Sequence, residues 1–144
     1  MTVRLLLKTK GTFVPVIRSD LTLQDVVDQL QVDEAGALVV TDDNENMVGI
    51  ITERDLARGL KRHGREVVDL PLRDLMTRDV LSVDIGVPIT TVLELMHKHK
   101  IHYVPVTENK SLAGIITMLD LVTYRLAELE LESQALKAYV AGSA

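Results

Sequence analysis

Residues 36–55 read GALVVTDDNENMVGIITERD, and residues 102–120 read HYVPVTENKSLAGIITMLD. Both stretches contain the motif Gly-Ile-Ile-Thr-x-x-Asp, at residues 49–55 in the first and 114–120 in the second. The offset is 65 residues at this motif and 66 residues upstream of it, so the second copy has one loop residue fewer. A repeat of this length is a whole α/β unit used twice, and two such units usually pack on each other.

Hydrophobic periodicity predicts the same order of elements in each copy: strand, helix, strand, turn, strand, helix. Apolar residues recur at helical spacing in the first helix of each copy, and short β-rich runs flank it. The predicted elements are strands at 12–17, 37–40, 47–52 and 80–83, and helices at 23–30, 53–61 and 89–96. The chain is therefore predicted to have an α/β (α+β) fold of two βαββα repeats packed pseudo-symmetrically.

The repeats divide the chain into four segments. Residues 1–62 form the first repeat, 63–72 a linker, 73–126 the second repeat and 127–144 a helical extension. Apolar positions recur through about 20 residues after Asp120, which is longer than one small domain needs. This helix is expected either to face a partner or to fold back on its own core.

The composition limits the classes of function that the chain can have. The chain has 144 residues, a net charge of −5, one Phe, three Tyr and no Trp, which argues against a nucleic-acid partner. It has no cysteine, so disulfides, thiolate zinc sites and cysteine nucleophiles are excluded, and a cytoplasmic location is expected. Its apolar runs are too short to span a membrane.

The duplicated Thr-x-x-Asp places a hydroxyl at a helix start and a carboxylate in the first turn. Such a pair can bind an anion or hold the vicinal diol of a ribose. The alternative is a capping box without any ligand. Two copies at matched positions favour a shared type of binding site.

The paired pattern resembles tandem cystathionine β-synthase (CBS) motifs, the regulatory pair often called a Bateman module. The resemblance runs from about Val3 to Leu126. Its marks are Gly36-Ala-Leu-Val-Val, Gly49-Ile-Ile-Thr-Glu-Arg-Asp-Leu-Ala-Arg58, Asp74-Leu-Met-Thr77, Ile101-His-Tyr-Val-Pro-Val106 and Gly114-Ile-Ile-Thr. The chain is most similar to small stand-alone CBS-pair proteins. Inosine monophosphate dehydrogenase and the kinase regulated by AMP carry similar modules.

The resemblance implies two pseudo-symmetric clefts that bind adenine nucleotides. The Thr and Asp of each motif would hold a ribose, Thr52 and Asp55 in one cleft and Thr117 and Asp120 in the other. Strand residues would sandwich the adenine: Val14 and Pro15 with Gly36 and Ala37 in the first copy, and Val80 and Leu81 with Ile101, His102 and Tyr103 in the second.

A phosphate group requires cations, and the two copies differ in these. Arg54 stands beside Asp55, whereas the second motif has Met118-Leu119 at the matching place. Lys10 is a further candidate phosphate ligand. We expect unequal clefts with AMP as the first candidate ligand, ADP, ATP or NAD(H) and S-adenosylmethionine as alternatives, and no metal requirement.

Two other patterns suggest metal sites. His97-x-His99-x-x-His102 contains three imidazoles, but the first two do not share a helix face, so a solvated helix end is preferred. The run at 42–46 resembles a calcium loop without its alternating ligand pattern and is predicted to be a polar hairpin turn.

The sequence thus predicts a regulatory module without catalysis of its own, since no phosphate loop or nucleophile–base constellation is present. We expect a homodimer formed through helices of the repeats, which transmits occupancy by adenine nucleotide to a partner enzyme or transporter. The rival interpretations are a ligand-free interaction scaffold and a metal or redox sensor built on the histidines.

Overall fold

A computed structural model describes residues 1–142 of the chain. Within that range the polypeptide forms five α-helices, six β-strands and two short 3-10 helices, at Gly64–Asp69 and Leu72–Asp74. The helices are α1 (Val3–Lys10), α2 (Leu23–Asp33), α3 (Glu53–His63), α4 (Ile89–His99) and α5 (Met118–Gly142). The strands are β1 (Val16–Arg18), β2 (Ala37–Thr41), β3 (Met47–Thr52), β4 (Val83–Asp84), β5 (Tyr103–Glu108) and β6 (Ser111–Thr117).

The strands form two three-stranded sheets with the same topology, β1-β2-β3 and β4-β5-β6. In each sheet the first pair of strands is parallel and the second is antiparallel. Each sheet also has one register shift, after Val40 in the first and after Val106 in the second. The predicted pair of βαββα repeats is therefore confirmed, down to a matched irregularity.

Helix α1 precedes the first repeat in sequence but packs on the second. Val3, Leu6 and Leu7 are at most 4% exposed, and they lie in one core cluster with Val83 and Ile116. The helix starts on a Thr2 cap and is held by backbone bonds to the β4–α4 turn. The segment predicted as the first repeat thus supplies part of the core of the second.

The linker precedes the second repeat in sequence but packs on the first. Val67 and Leu72 of the two 3-10 helices are 2% and 0% exposed, within the core of the first repeat. Thr77, just beyond, exchanges two 2.9 Å backbone hydrogen bonds with Ile50 of β3. Helix α1 therefore completes the second repeat, and the linker completes the first. The linker is a packed element rather than a loose connection.

A third apolar cluster joins the two sheets. Ala37, Val39, Ile50 and Ile115 are its buried members, and Tyr103 packs at its margin. Because this cluster draws on both sheets, the repeats share a core in addition to exchanging segments.

The structure corrects one detail of the sequence prediction and decides between two alternatives for another. The first strands are shorter and later than the patterns at 12–17 and 80–83 indicated, because Val14 and Val80 pack in the cluster between the sheets instead. Helix α5 does not fold back: Leu126, Leu131 and Leu136 are 62–67% exposed. The last two residues of the predicted extension lie outside the described residues.

Candidate ligand-binding clefts

The motif at residues 49–55 ends strand β3 and begins helix α3. The Thr52 hydroxyl accepts the amide N–H of Asp55 at 3.4 Å, and the Asp55 carboxylate accepts the amide N–H of Thr52 at 2.9 Å. This is a complete capping box. Asp55 is 6% exposed, and its second oxygen accepts a long 3.4 Å bond from the Thr77 hydroxyl and lies 3.9 Å from a guanidinium nitrogen of Arg58. That oxygen therefore retains acceptor capacity.

The second motif is built alike but has an additional cation. The Asp120 carboxylate accepts the amide N–H of Thr117 at 2.8 Å and the Lys10 ammonium at 2.6 Å. Lys10 also donates to the Ile115 carbonyl at 2.6 Å. The Lys10 and Asp120 side chains are only about one-fifth exposed. Lys10 is therefore engaged by the protein itself.

Two clefts open beside these motifs. The Thr52 cleft, of about 430 Å³, is lined by six predicted site residues that do not line the other cleft: Thr52, Arg54, Asp55, Val80, Leu81 and Ile101. The Thr117 cleft, of about 490 Å³, is lined by five: Lys10, Pro15, Gly36, Ala37 and Thr117. His102 and Tyr103 line both. Volumes of this size suit a ligand of nucleotide dimensions.

Two tandem segments, residues 12–62 and 72–127, match the family of CBS domains.

The chain belongs to the CBS-domain family.

Solved CBS structures share its fold. A CBS-domain-containing protein from Agrobacterium tumefaciens is 32% identical, with a TM-score of 0.84 over 86% of this chain and 92% of that one. Among relatives, a CBS domain-containing mitochondrial protein of Arabidopsis thaliana is 31% identical over 128 residues, which are 86% of this chain and 62% of that protein. Inosine-5'-monophosphate dehydrogenase of Nitrosopumilus maritimus is 33% identical over 106 residues, which are 73% of this chain and 21% of that enzyme.

The chain thus spans between about a fifth and about two thirds of the length of these curated relatives. Among residues 1–142, no helix combines the length and the apolar character that crossing a bilayer needs.

The CBS pair combines its site residues differently from the sequence expectation. Gly36 of the first copy was expected in the cleft of Thr52, and Val80 of the second copy in that of Thr117. Instead, the Thr-x-x-Asp motif of each repeat opens onto strand-side residues of the other: Thr52 shares a cleft with Val80, and Thr117 shares one with Gly36. The swap follows from packing the repeats on each other, because each motif then opens toward the opposite sheet.

Two predicted residues lie beside the clefts rather than on their walls. Val14 is half-buried in the cluster between the sheets. Asp120 reaches the Thr117 cleft through its ion pair with Lys10. The sequence interpretation also missed contributors. Arg58 and Thr77 line the Thr52 cleft, and both fall within family motifs quoted above, which was the available signal.

Tyr103 forms the wall between the clefts. Its hydroxyl lies close to Gly36 and the Glu53 carboxylate. Burial, reinforced by the negative charge of Glu53, raises the pKa of the Tyr103 hydroxyl. The ring therefore stays neutral at physiological pH and offers one cleft or the other an O–H donor.

Charge distinguishes the two clefts of the CBS pair. The Thr52 cleft has three fixed cations, Arg54, Arg58 and Lys100, against the carboxylates of Glu53, Asp55 and Asp79, and the imidazoles of His99 and His102 are at its rim. The Thr117 cleft has the engaged Lys10 against Asp33 and Glu34. Only the Thr52 cleft contains arginine, whose planar fork suits phosphate oxygens.

Arg54 also bridges the repeats. Its guanidinium donates at 3.2 Å to the carbonyl of Lys100, the left-handed residue that ends α4. The residue that would meet a phosphate is therefore already part of the contact between repeats.

The other sequence patterns resolve as follows. His97 and His99 are exposed at the end of α4, and within residues 1–142 no three or more His, Asp or Glu side chains are grouped as metal ligands. The run at 42–46 forms the predicted hairpin turn, in which the Asp42 carboxylate accepts the amide N–H groups of Asn44 and Asn46 at 2.9 Å. These backbone bonds, chiefly that from Asn46, lower the pKa of Asp42.

Proposed function

We propose that this CBS pair is a regulatory module whose Thr52 cleft binds a phosphorylated adenosine ligand, with AMP the first candidate and ADP, ATP or NAD(H) the alternatives. The observation that carries the proposal is the grouping of Arg54, Arg58 and Lys100 around the start of α3. There the Asp55 oxygen outside the capping box has only a long bond from Thr77 and a 3.9 Å ion pair with Arg58, and it would accept a hydroxyl of the ribose diol.

The Thr117 cleft is proposed to bind such a ligand more weakly. Its Lys10 is held by Asp120 and the Ile115 carbonyl, so a phosphate would have to displace two short hydrogen bonds. Asp33 and Glu34 in its lining would repel an anion. This cleft suits an uncharged or cationic adenosine compound such as S-adenosylmethionine better than a nucleotide.

Occupancy is proposed to reach a partner through Arg54. A phosphate in the Thr52 cleft would compete with the Lys100 carbonyl for the guanidinium. Because that contact joins the repeats, the ligand would favour one relative position of the repeats over another, which is allostery by differential affinity. The module itself would catalyse nothing and act on an enzyme or transporter.

Calorimetric titration with AMP, ADP, ATP, NADH, S-adenosylmethionine and adenosine tests the proposal. We expect micromolar AMP affinity that falls about 10- to 100-fold in Arg54→Ala, the loss of a charged hydrogen bond. The affinity for adenosine should be the same in both proteins, because adenosine has no phosphate.

Lys10→Ala is the matched control, a cation removed from the other cleft. If AMP binding is lost in Lys10→Ala and kept in Arg54→Ala, the ligand occupies the Thr117 cleft. If no ligand gives heat or a thermal shift, the proposal is wrong and the chain acts as an interaction scaffold.

We also propose that the chain is a homodimer. The apolar side chains of α5 support this, since Leu119, Leu126, Leu131 and Leu136 are 62–72% exposed in the single chain.

A further inference from the structure

Helix α5 has one face that packs on its own repeat. Leu121 is 3% exposed, and Tyr124 packs at the edge of the second repeat's core. Glu128, one turn further, accepts the Tyr124 hydroxyl at 2.8 Å and is also bonded by Arg125. This face anchors the first three turns of the helix.

The opposite face has a regular apolar row, here called the seam. Its members recur at alternating spacings of three and four residues, and the same spacing continues to Val140. They are Leu119, Val122, Leu126, Leu129, Ser133 and Leu136. The five apolar members are between 44% and 72% exposed. Alternating spacings of three and four are the a/d pattern of a coiled coil.

We propose that the seam pairs with the seam of a second copy of this chain in a parallel, in-register, two-stranded coiled coil. The inference does not depend on nucleotide binding. It specifies how the proposed homodimer forms and which way its helices run.

Charges beside the seam select this arrangement. The spacing makes Leu119, Leu126 and Ser133 the a positions of the seam. In a parallel pair, the residue just before an a position faces the residue five places further on in the other helix. Arg125 then faces Glu130 of the second copy, and Glu132 faces Lys137 of the second copy. Both contacts join opposite charges, and each occurs twice in a symmetric dimer.

The antiparallel register with the most extensive overlap is disfavoured by the same residues. The antiparallel register with the longest overlap centres on residue 131, so Glu130 meets Glu130 and Glu132 meets Glu132. It also places the Ser133 hydroxyl against Leu129 of the second copy. In the parallel register the two Ser133 hydroxyls face each other and can share a hydrogen bond.

Because the seam lies opposite the face that packs on the second repeat, the two bodies would lie on the outer sides of the coiled coil. The described part of α5 is 25 residues, about 37 Å of helix at 1.5 Å per residue, which provides the length for three heptads.

Disulfide trapping tests the arrangement, because the chain has no cysteine and an introduced one is its only thiol. Leu136→Cys puts the thiol on the seam. Leu131→Cys puts it on the other face, at nearly equal exposure, 67% against 63%. Under mild oxidation we expect at least about tenfold more covalent dimer from Leu136→Cys, since a disulfide needs Cα atoms within about 7 Å.

Equal yields from the two variants would mean random collision and would overturn the proposal. A mixture of Leu126→Cys and Leu136→Cys that links mainly 126 to 136 would overturn the parallel orientation in favour of the antiparallel one. Circular dichroism of the reduced proteins checks that every variant is folded.

The second test is sedimentation equilibrium of chains that carry no introduced cysteine. We expect Glu132→Lys to weaken the dimer several-fold and the added change Lys137→Glu to restore it, because the opposite-charge contact is then re-formed with its sign reversed. The proposed pairing of seams would be refuted by a wild-type chain that stays monomeric at all concentrations, or by a dimer whose affinity neither change affects.

Discussion

The phenolic oxygen of Tyr103 occupies the place where a β-carbon on Gly36 would stand. Tyr103 begins β5 of the second repeat, and Gly36 precedes β2 of the first, so the contact joins the repeats at the wall between the clefts. A side chain at position 36 and the tyrosine ring cannot both occupy this position.

Gly36→Ala should therefore displace the Tyr103 ring and lower the free energy of unfolding by about 1–3 kcal/mol, the usual cost of overpacking. Tyr103→Phe in the same chain removes the oxygen and should recover part of the loss. Urea denaturation of the two single variants and the double variant measures the coupling. Gly142→Ala, with nothing near its added carbon, is the control. Additive effects of the two changes would contradict the contact.

The two motif glycines should differ in tolerance. A β-carbon on Gly49 would lie 2.8 Å from the Thr77 carbonyl oxygen, which is backbone, whereas one on Gly114 would lie 2.8 Å from the Leu7 methyls, which can rotate. Gly49→Ala should cost more stability than Gly114→Ala, by about 1 kcal/mol or more. Thermal denaturation of the two variants measures this difference. A larger loss in Gly114→Ala than in Gly49→Ala would count against the packing described for the exchanged segments.

Lys10 should contribute more than an ordinary surface cation. Lys10→Met removes two short bonds from a site where both ionic side chains are about one-fifth exposed, and should cost about 1–2 kcal/mol. Arg18→Met is the comparison, because the ion pairs of Arg18 with Asp20 and Asp43 are largely exposed and should matter little. Equal losses of unfolding free energy in the two variants would show that the Lys10 site is not special.

Helix α1 should be essential to the second repeat. Leu7, 2% exposed, packs against β6, so Leu7→Ala should lower the free energy of unfolding by about 2–5 kcal/mol. Leu5→Ala, at a side chain 49% exposed on the same helix, should change it by less than about 0.5 kcal/mol. A mild effect of Leu7→Ala would mean that α1 is a dispensable cap.

Local chemistry accounts for what the sequence could predict. The Gly-Ile-Ile-Thr-x-x-Asp motif has a buried strand, a helix cap and a first-turn carboxylate within seven residues, so β3 and the start of α3 follow from it directly. The length of α5 also follows from its apolar spacing. Whether the helix folds back on its own core did not, and the structure leaves Leu126, Leu131 and Leu136 exposed.

Non-local packing accounts for what it could not. Leu6 and Leu7 indicate a buried helix face without indicating which repeat buries it. In the same way, Thr52 and Gly36 belong to one repeat, and only the packing of the two sheets assigns them to different clefts. A sequence pattern that both repeats share does not indicate which residues of one repeat contact the other.

The exchange of segments also determines when this protein can finish folding. Lys10 lies 105 and 110 positions before its two partners, Ile115 and Asp120. At bacterial or eukaryotic rates of synthesis, α1 therefore leaves the ribosome roughly 5–20 s before the strand it must cover exists. Until then its apolar face is available to chaperones, and a prematurely released chain lacking β6 would expose it permanently. The first helix made is among the last to be buried, so an intact α1 contact signals that both repeats have been completed.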